Sequence, residues 1–89
     1  MKLTNEKPFI AGNWKMHKII PDARELVRAI REESADLHGA QLVVLPPFTV
    51  LSEVKKELQG SLVQWGAQNL FWEEKGAFTG EISPLMLKD

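Results

Sequence analysis

Apolar residues in this chain gather in three short runs, Phe9 to Gly12, Leu42 to Leu45 and Leu62 to Ala67, instead of alternating with polar ones. Such runs are the pattern of strands covered on both faces, as in a parallel sheet under helices. Between the first two, Ala23, Leu26, Val27, Ile30, Ser34 and Leu37 recur at helical spacing. Pro21 suits the first turn of that helix, Asp22 complements its positive end, and Gly39 takes the left-handed stop position. Its outer face carries Arg24, Arg28, Arg31 and Glu32, which predicts a solvated charged surface. His38, at the end of this helix, favours the negative end of the dipole. A second helix is expected after Pro46-Pro47-Phe48, with Thr49 as N-cap, Leu51, Val54 and Leu58 as its buried stripe, Lys55 and Lys56 in the last turns and Gly60 as its stop.

The order strand, helix, strand, helix, strand predicts a parallel α/β layer with right-handed crossovers. Beyond the third strand, Gln68 to Ser83 forms a long connection containing Phe71, Trp72 and Phe78, with glycines only at Gly76 and Gly80. Aromatic residues on so long a connection point to a functional loop, a loop packed against another subunit, or one folded back over its own scaffold. Ser83 caps a last helix, with Pro84 in its first turn. No repeat, low-complexity tract or linker interrupts the 89 residues, so 1–89 reads as a single partial domain with a modest core.

Composition narrows the partners. A net charge of -1 supplies no field to steer nucleic acid or an anionic membrane, so neither is expected as a partner and any anion site must be local. The absence of cysteine excludes disulfides and thiolate catalysis, and two histidines, His17 and His38, are too few for a metal cluster, so no metal is expected. Residues 1–8 are polar and no apolar stretch approaches the roughly 20 residues of a membrane span, which makes the cytoplasm the expected location.

The strongest chemical signal is Gly12-Asn13-Trp14-Lys15-Met16, which sets a carboxamide and an ammonium at the carboxyl end of the first strand. Parallel α/β sheets collect ligands at that end, and Lys is a point charge suited to phosphate or a developing oxyanion. Phosphate-binding glycine loops, zinc-binding helices and nucleophile elbows are missing. Ser34, Ser52, Ser61 and Ser83 read as caps and turns, and Glu73, Glu74 and Glu81 as loop charges. A Schiff base at Lys15 would require burial of the amine.

Three separated blocks then carry a family likeness. Ala11-Gly12-Asn13-Trp14-Lys15-Met16, followed by Pro46-Pro47-Phe48-Thr49, then by Gly66-Ala67-Gln68-Asn69 with Gly76-Ala77-Phe78-Thr79-Gly80-Glu81-Ile82-Ser83, resemble the triosephosphate isomerases over Lys7 to Asp89. The resemblance implies the first three β/α units of an eightfold barrel of about 250 residues. It implies Lys15 as a catalytic and substrate-binding residue, Asn13 as its substrate-binding partner, and a homodimer through loop 68–83, with Thr79 at the tip and Gln68, Phe78, Gly80 and Glu81 at the interface. The implied reaction interconverts dihydroxyacetone phosphate and glyceraldehyde 3-phosphate through an enediol without a cofactor. His17 stands where the family commonly has asparagine. In the family the proton-transferring glutamate and histidine come from later strands, so the isolated chain is expected to be inactive, to associate with the missing carboxyl-terminal part, or to persist as a self-associating structural fragment.

Overall fold

A computed structural model describes residues 7–89; of the polar segment 1–8, residues 1–6 lie outside the described residues. The elements run β1 (Phe9–Asn13), α1 (Ile20–Glu33), β2 (Gln41–Leu45), α2 (Phe48–Leu58), β3 (Val63–Trp65) and α3 (Pro84–Lys88). The strands form one parallel sheet in the order β1-β2-β3, with Ile10 beside Leu42, Asn13 beside Leu45, and Leu42 beside Val63. Because all three point the same way, their carboxyl ends share one edge of the layer.

The core forms between the helices and one sheet face. Ala23 and Val27 of α1 meet Val50, Val54 and Leu58 of α2 over Val44 and Val63, with Ile30, Leu42 and Trp65 packed at the margin. The reading of the strands as covered on both faces holds for β2 alone. Phe9 and Ile10 in β1 are 63% and 51% exposed, and Leu62, expected in the third strand, falls outside it and is exposed. Strand alternation puts Phe9, Ala11 and Gln64 on the face turned away from the helices, and β1 lies at the sheet's edge, paired only with β2.

Both long helices depart from the expected boundaries. In α1 the helix starts at Ile20 with Pro21 in its first turn, but stops at Glu33, well before Gly39. Ser34 ends it: its N–H and its hydroxyl both donate to the Ile30 carbonyl, and the Leu37 N–H folds back to the Ser34 carbonyl. His38 therefore lies past the helix and cannot meet its dipole. In α2 the N-cap is Pro47, in extended backbone, and Thr49 sits inside the first turn without capping. The helix begins immediately after the proline pair, two positions earlier than a Thr49 cap would place it, and its fully buried stripe is Val50, Val54 and Leu58, with Leu51 only half-buried. In α3 the expected cap is present: the Ser83 hydroxyl accepts from the Met86 N–H at 3.2 Å.

The charged face of α1 is exposed at Arg28, Arg31 and Glu32, as expected, but its arginines also pair across to α2. Arg24 Nε reaches Glu53 Oε2 at 3.0 Å, Arg28 grips both carboxylate oxygens of Glu57 at 2.9 and 3.0 Å, and Arg31 donates to the Glu57 carbonyl at 2.6 Å. The spacing Arg24, Arg28, Arg31 places guanidinium groups along one side of α1, and Glu53 and Glu57 answer at the same helical spacing on α2. Hydrogen bonding from Arg28, against a smaller opposing desolvation, holds the Glu57 carboxyl below the ordinary carboxylate range. A carboxyl depressed in the folded state contributes stability above its unfolded pKa and loses it as pH falls through the folded value. The urea midpoint of the wild-type chain should therefore exceed that of Glu57→Gln near neutrality, and the gap should close on acidification below the carboxylate range. A gap independent of pH would deny the pairing.

Candidate active site

The turn after β1 is built by its own side chain. Asn13 Oδ1 accepts the Lys15 N–H at 2.9 Å, the local bond by which asparagine folds the chain back on itself. The Trp14 N–H meanwhile donates to the Leu45 carbonyl at 3.1 Å, extending the β1–β2 ladder by one step. Within this turn Lys15 sits at φ +56°, a left-handed conformation uncommon for a non-glycine residue, and Lys18 follows at φ +88°. The Lys15 side chain is exposed at the edge where all three strands end, so the burial a Schiff-base amine requires is absent.

From the far side of the sheet edge comes Gln68. Its Nε2 donates to the Lys15 carbonyl at 3.0 Å and to the Leu45 carbonyl at 2.8 Å. Asn13, Lys15 and Gln68 thus converge, although fifty-three positions separate Lys15 from Gln68. Sequence reasoning paired Asn13 with Lys15 but put Gln68 in the dimer loop's support. Only the parallel register, which sets the residues after β3 next to the turn after β1, could have disclosed the contact.

The rest of the loop after β3 holds its own shape. Phe71 stacks on Trp72 with ring centroids 4.3 Å apart and meets Phe78 at 4.7 Å. The loop closes through the Phe71 N–H to the Ile82 carbonyl at 2.8 Å, and the Glu81 N–H to the Phe78 carbonyl at 3.0 Å tightens the turn at Thr79 and Gly80. Trp72 remains 77% exposed, and Thr79, Gly80 and Glu81 are exposed too. Gly76 makes the cluster possible. It sits at φ +147°, and a Cβ there would lie 2.6 Å from the Phe78 ring. Gly76→Ala should displace Phe78 and load the backbone with about 1–3 kcal/mol of strain. Hydrogen exchange localised to 71–82 and reduced aromatic near-UV dichroism would register it, and an unchanged spectrum would exclude it.

Among the described residues no group of three His, Cys, Asp or Glu side chains could hold a metal ion, and His17 and His38 are both exposed. Among the described residues, what the edge offers is an exposed lysine on a hydrogen-bonded turn, a carboxamide whose oxygen is already committed, and an exposed aromatic loop.

Comparison with known proteins gives the family likeness of the chain as a whole. The family model described as triosephosphate isomerase matches residues 8–89. The triosephosphate isomerase of Thermoanaerobacter pseudethanolicus is 54% identical over 83 residues, 93% of this chain and 33% of that protein. That of Dehalococcoides mccartyi is 55% identical over 81 residues, covering 91% of this chain and 32% of its own length. The crystal structure of triosephosphate isomerase from Bartonella henselae superposes with a TM-score of 0.85 at 35% identity, over 93% of this chain and 34% of that one. The chain thus spans about a third of the length of the curated relatives it matches, and its alternating strands and helices correspond to the first β/α units of a TIM barrel.

Proposed function

Because the chain belongs to the triosephosphate isomerase family, we propose that Asn13 and Lys15 form the anion-binding corner of an isomerase site whose proton-transferring groups come from outside these 89 residues. The substrates are dihydroxyacetone phosphate and glyceraldehyde 3-phosphate. The Lys15 ammonium neutralises the phosphate and the negative charge that grows on the enediolate oxygen as a carbon-bound proton leaves. Asn13 contributes differently. Its Oδ1 is held by the Lys15 N–H, so its amide N–H groups remain as donors toward a substrate oxygen. The reaction is an internal shift of protons between adjacent carbons and oxygens, and it calls for no organic cofactor.

The observation that carries this reading is the locked turn. Lys15 is held in a left-handed conformation at the carboxyl edge of a parallel sheet, which fixes the backbone from which its exposed side chain is presented. The exposed, self-closed loop 68–83 supports a homodimer in which Thr79 reaches the corresponding Asn13 and Lys15 of a second copy. The cytoplasm is the location this reading assigns.

Grafting tests it. Residues 8–89 would replace their counterpart in the Thermoanaerobacter pseudethanolicus relative, and triose phosphate interconversion would be followed by a coupled assay. The hybrid should turn over within about tenfold of the intact relative, about 1.4 kcal/mol of barrier. A folded, dimeric hybrid without turnover would sink the proposal.

A second reading is favoured by Phe9 and Ile10, both more than half exposed on an edge strand. An unpaired apolar edge is a template for association, so the chain alone would be an inactive, self-associating or complementing fragment. Light scattering decides between them, since a monodisperse monomer eliminates self-association.

A further inference from the structure

We infer that Gln68 is a positioning residue for Lys15, holding the turn that presents its ammonium; this rests on the function proposed above. The Lys15 peptide is gripped from both sides. Its N–H is held by Asn13 Oδ1 at 2.9 Å and its carbonyl by Gln68 Nε2 at 3.0 Å. Between those two bonds the residue sits at φ +56°, from which a non-glycine residue relaxes unless its surroundings prevent it.

The same Nε2 donates to the Leu45 carbonyl at 2.8 Å, which also accepts the Trp14 N–H at 3.1 Å. One amide nitrogen, using both of its protons, therefore fastens the turn after β1 to the carboxyl end of β2. Asn13 alone cannot do this, because its bond is internal to the turn, and the Trp14 N–H ties only the start of the turn to β2. Gln68 supplies the external anchor at the Lys15 carbonyl itself. It follows β3 by a few residues, so its own place is set by the β2–β3 register. Removing the anchor leaves the lysine charge intact and its direction unfixed, which weakens anion binding more than it alters any proton-transferring group.

The test uses the hybrid barrel described above, with inorganic sulfate as probe because its charge is constant through the working pH range. Gln68→Met keeps length and volume but removes both donors. It should raise the inhibition constant for sulfate and the KM for triose phosphate by about tenfold, with kcat changed less, while light scattering reports an unchanged dimer. Gln68→Glu should do something a purely structural role would not. Its carboxyl faces two carbonyl oxygens, so only the protonated form can donate to one of them. Sulfate affinity should therefore fall, relative to the parent, as pH rises from about 5 to about 8, and recover on acidification. If Gln68→Met does not fold, the pH limb in Gln68→Glu decides together with hydrogen exchange, because a loosened turn speeds exchange of the Lys15 N–H relative to the parent whereas repulsion between carboxylate and sulfate does not. Unchanged sulfate affinity in Gln68→Met, absence of the limb, or a loss seen only where the dimer dissociates overturns the inference. Lys15→Ala separates the two levels. If it leaves sulfate affinity intact, the functional reading falls, whereas if it destroys affinity and the Gln68 variants do not, only the positioning role falls.

Discussion

In the hybrid barrel, Lys15→Ala is expected to lower kcat/KM by a hundredfold to a thousandfold, about 2.7–4 kcal/mol, the loss typical of removing one preorganised group facing a developing oxyanion. The protein should nevertheless fold as well as before. The Lys15 side chain is exposed and packs against nothing in the core, so its deletion leaves no cavity. A companion variant sharpens the point. At φ +56° glycine is at ease where lysine and alanine are strained, so Lys15→Gly should stay as inactive as Lys15→Ala yet relieve about 1 kcal/mol of backbone strain, partly offset by glycine's greater freedom when unfolded. Kinetics and thermal unfolding on the three proteins would check it. Near-normal kcat/KM in either variant would remove Lys15 from the active site, and equal stability of the glycine and alanine variants would remove the strain.

The turn at this corner was legible in part because it is local. Asn13 and Lys15 are two positions apart, and a strand followed by such a pair raised the expectation of a ligand-facing turn at the sheet's carboxyl edge, where the structure places both residues. Ser83 with Pro84 was readable for the same reason, since a cap and its helix are neighbours in sequence. Features that depend on the register between elements were not readable. The Arg24, Arg28 and Arg31 row is exposed as its pattern suggests, but its pairing shows only when α2 is laid beside it with Glu53 and Glu57 in phase. Gln68 looks like a loop residue until β3 is paired beside β2. The end of α1 was misjudged for a different reason. Leu37 fits the helical period, but its N–H turns back to the Ser34 carbonyl, three positions before it, and the helix gives way to a turn after Ser34. The strand runs misled because an apolar pattern states what a residue suits, whereas cover comes from neighbouring elements, and nothing in the described residues lies over the outer face of β1.

That last contrast yields the largest stability effect. Leu58→Ala should destabilise the fold by about 2–5 kcal/mol, a substantial part of the 5–15 kcal/mol that holds a whole domain. Leu58 is fully buried, in the same cluster as Val54, Val27 and Val63. Its surroundings cannot easily collapse into the space. The Leu58 carbonyl is tied to the Ser61 N–H at 2.9 Å and to the Ser61 hydroxyl at 2.6 Å, and the neighbouring Glu57 carbonyl is held by Arg31. A pinned backbone keeps the cavity open, which places the cost toward the upper part of that range. Phe9→Ala deletes a larger side chain but one 63% exposed, and should cost less than about 1 kcal/mol in the chain by itself. Urea midpoints for the two variants test the order, and a costlier Phe9→Ala would relocate the core to the outer face of the sheet. The damage from Leu58→Ala should also reach the active-site turn. Gly60 and Ser61 lead from α2 directly into β3, and β3 sets the place of Gln68, so loosening the end of α2 should loosen the anchor on Lys15. Sulfate affinity should then fall in Leu58→Ala, and in Leu58→Ala combined with Gln68→Met the two losses should add to less than their sum, because both act through the same bond.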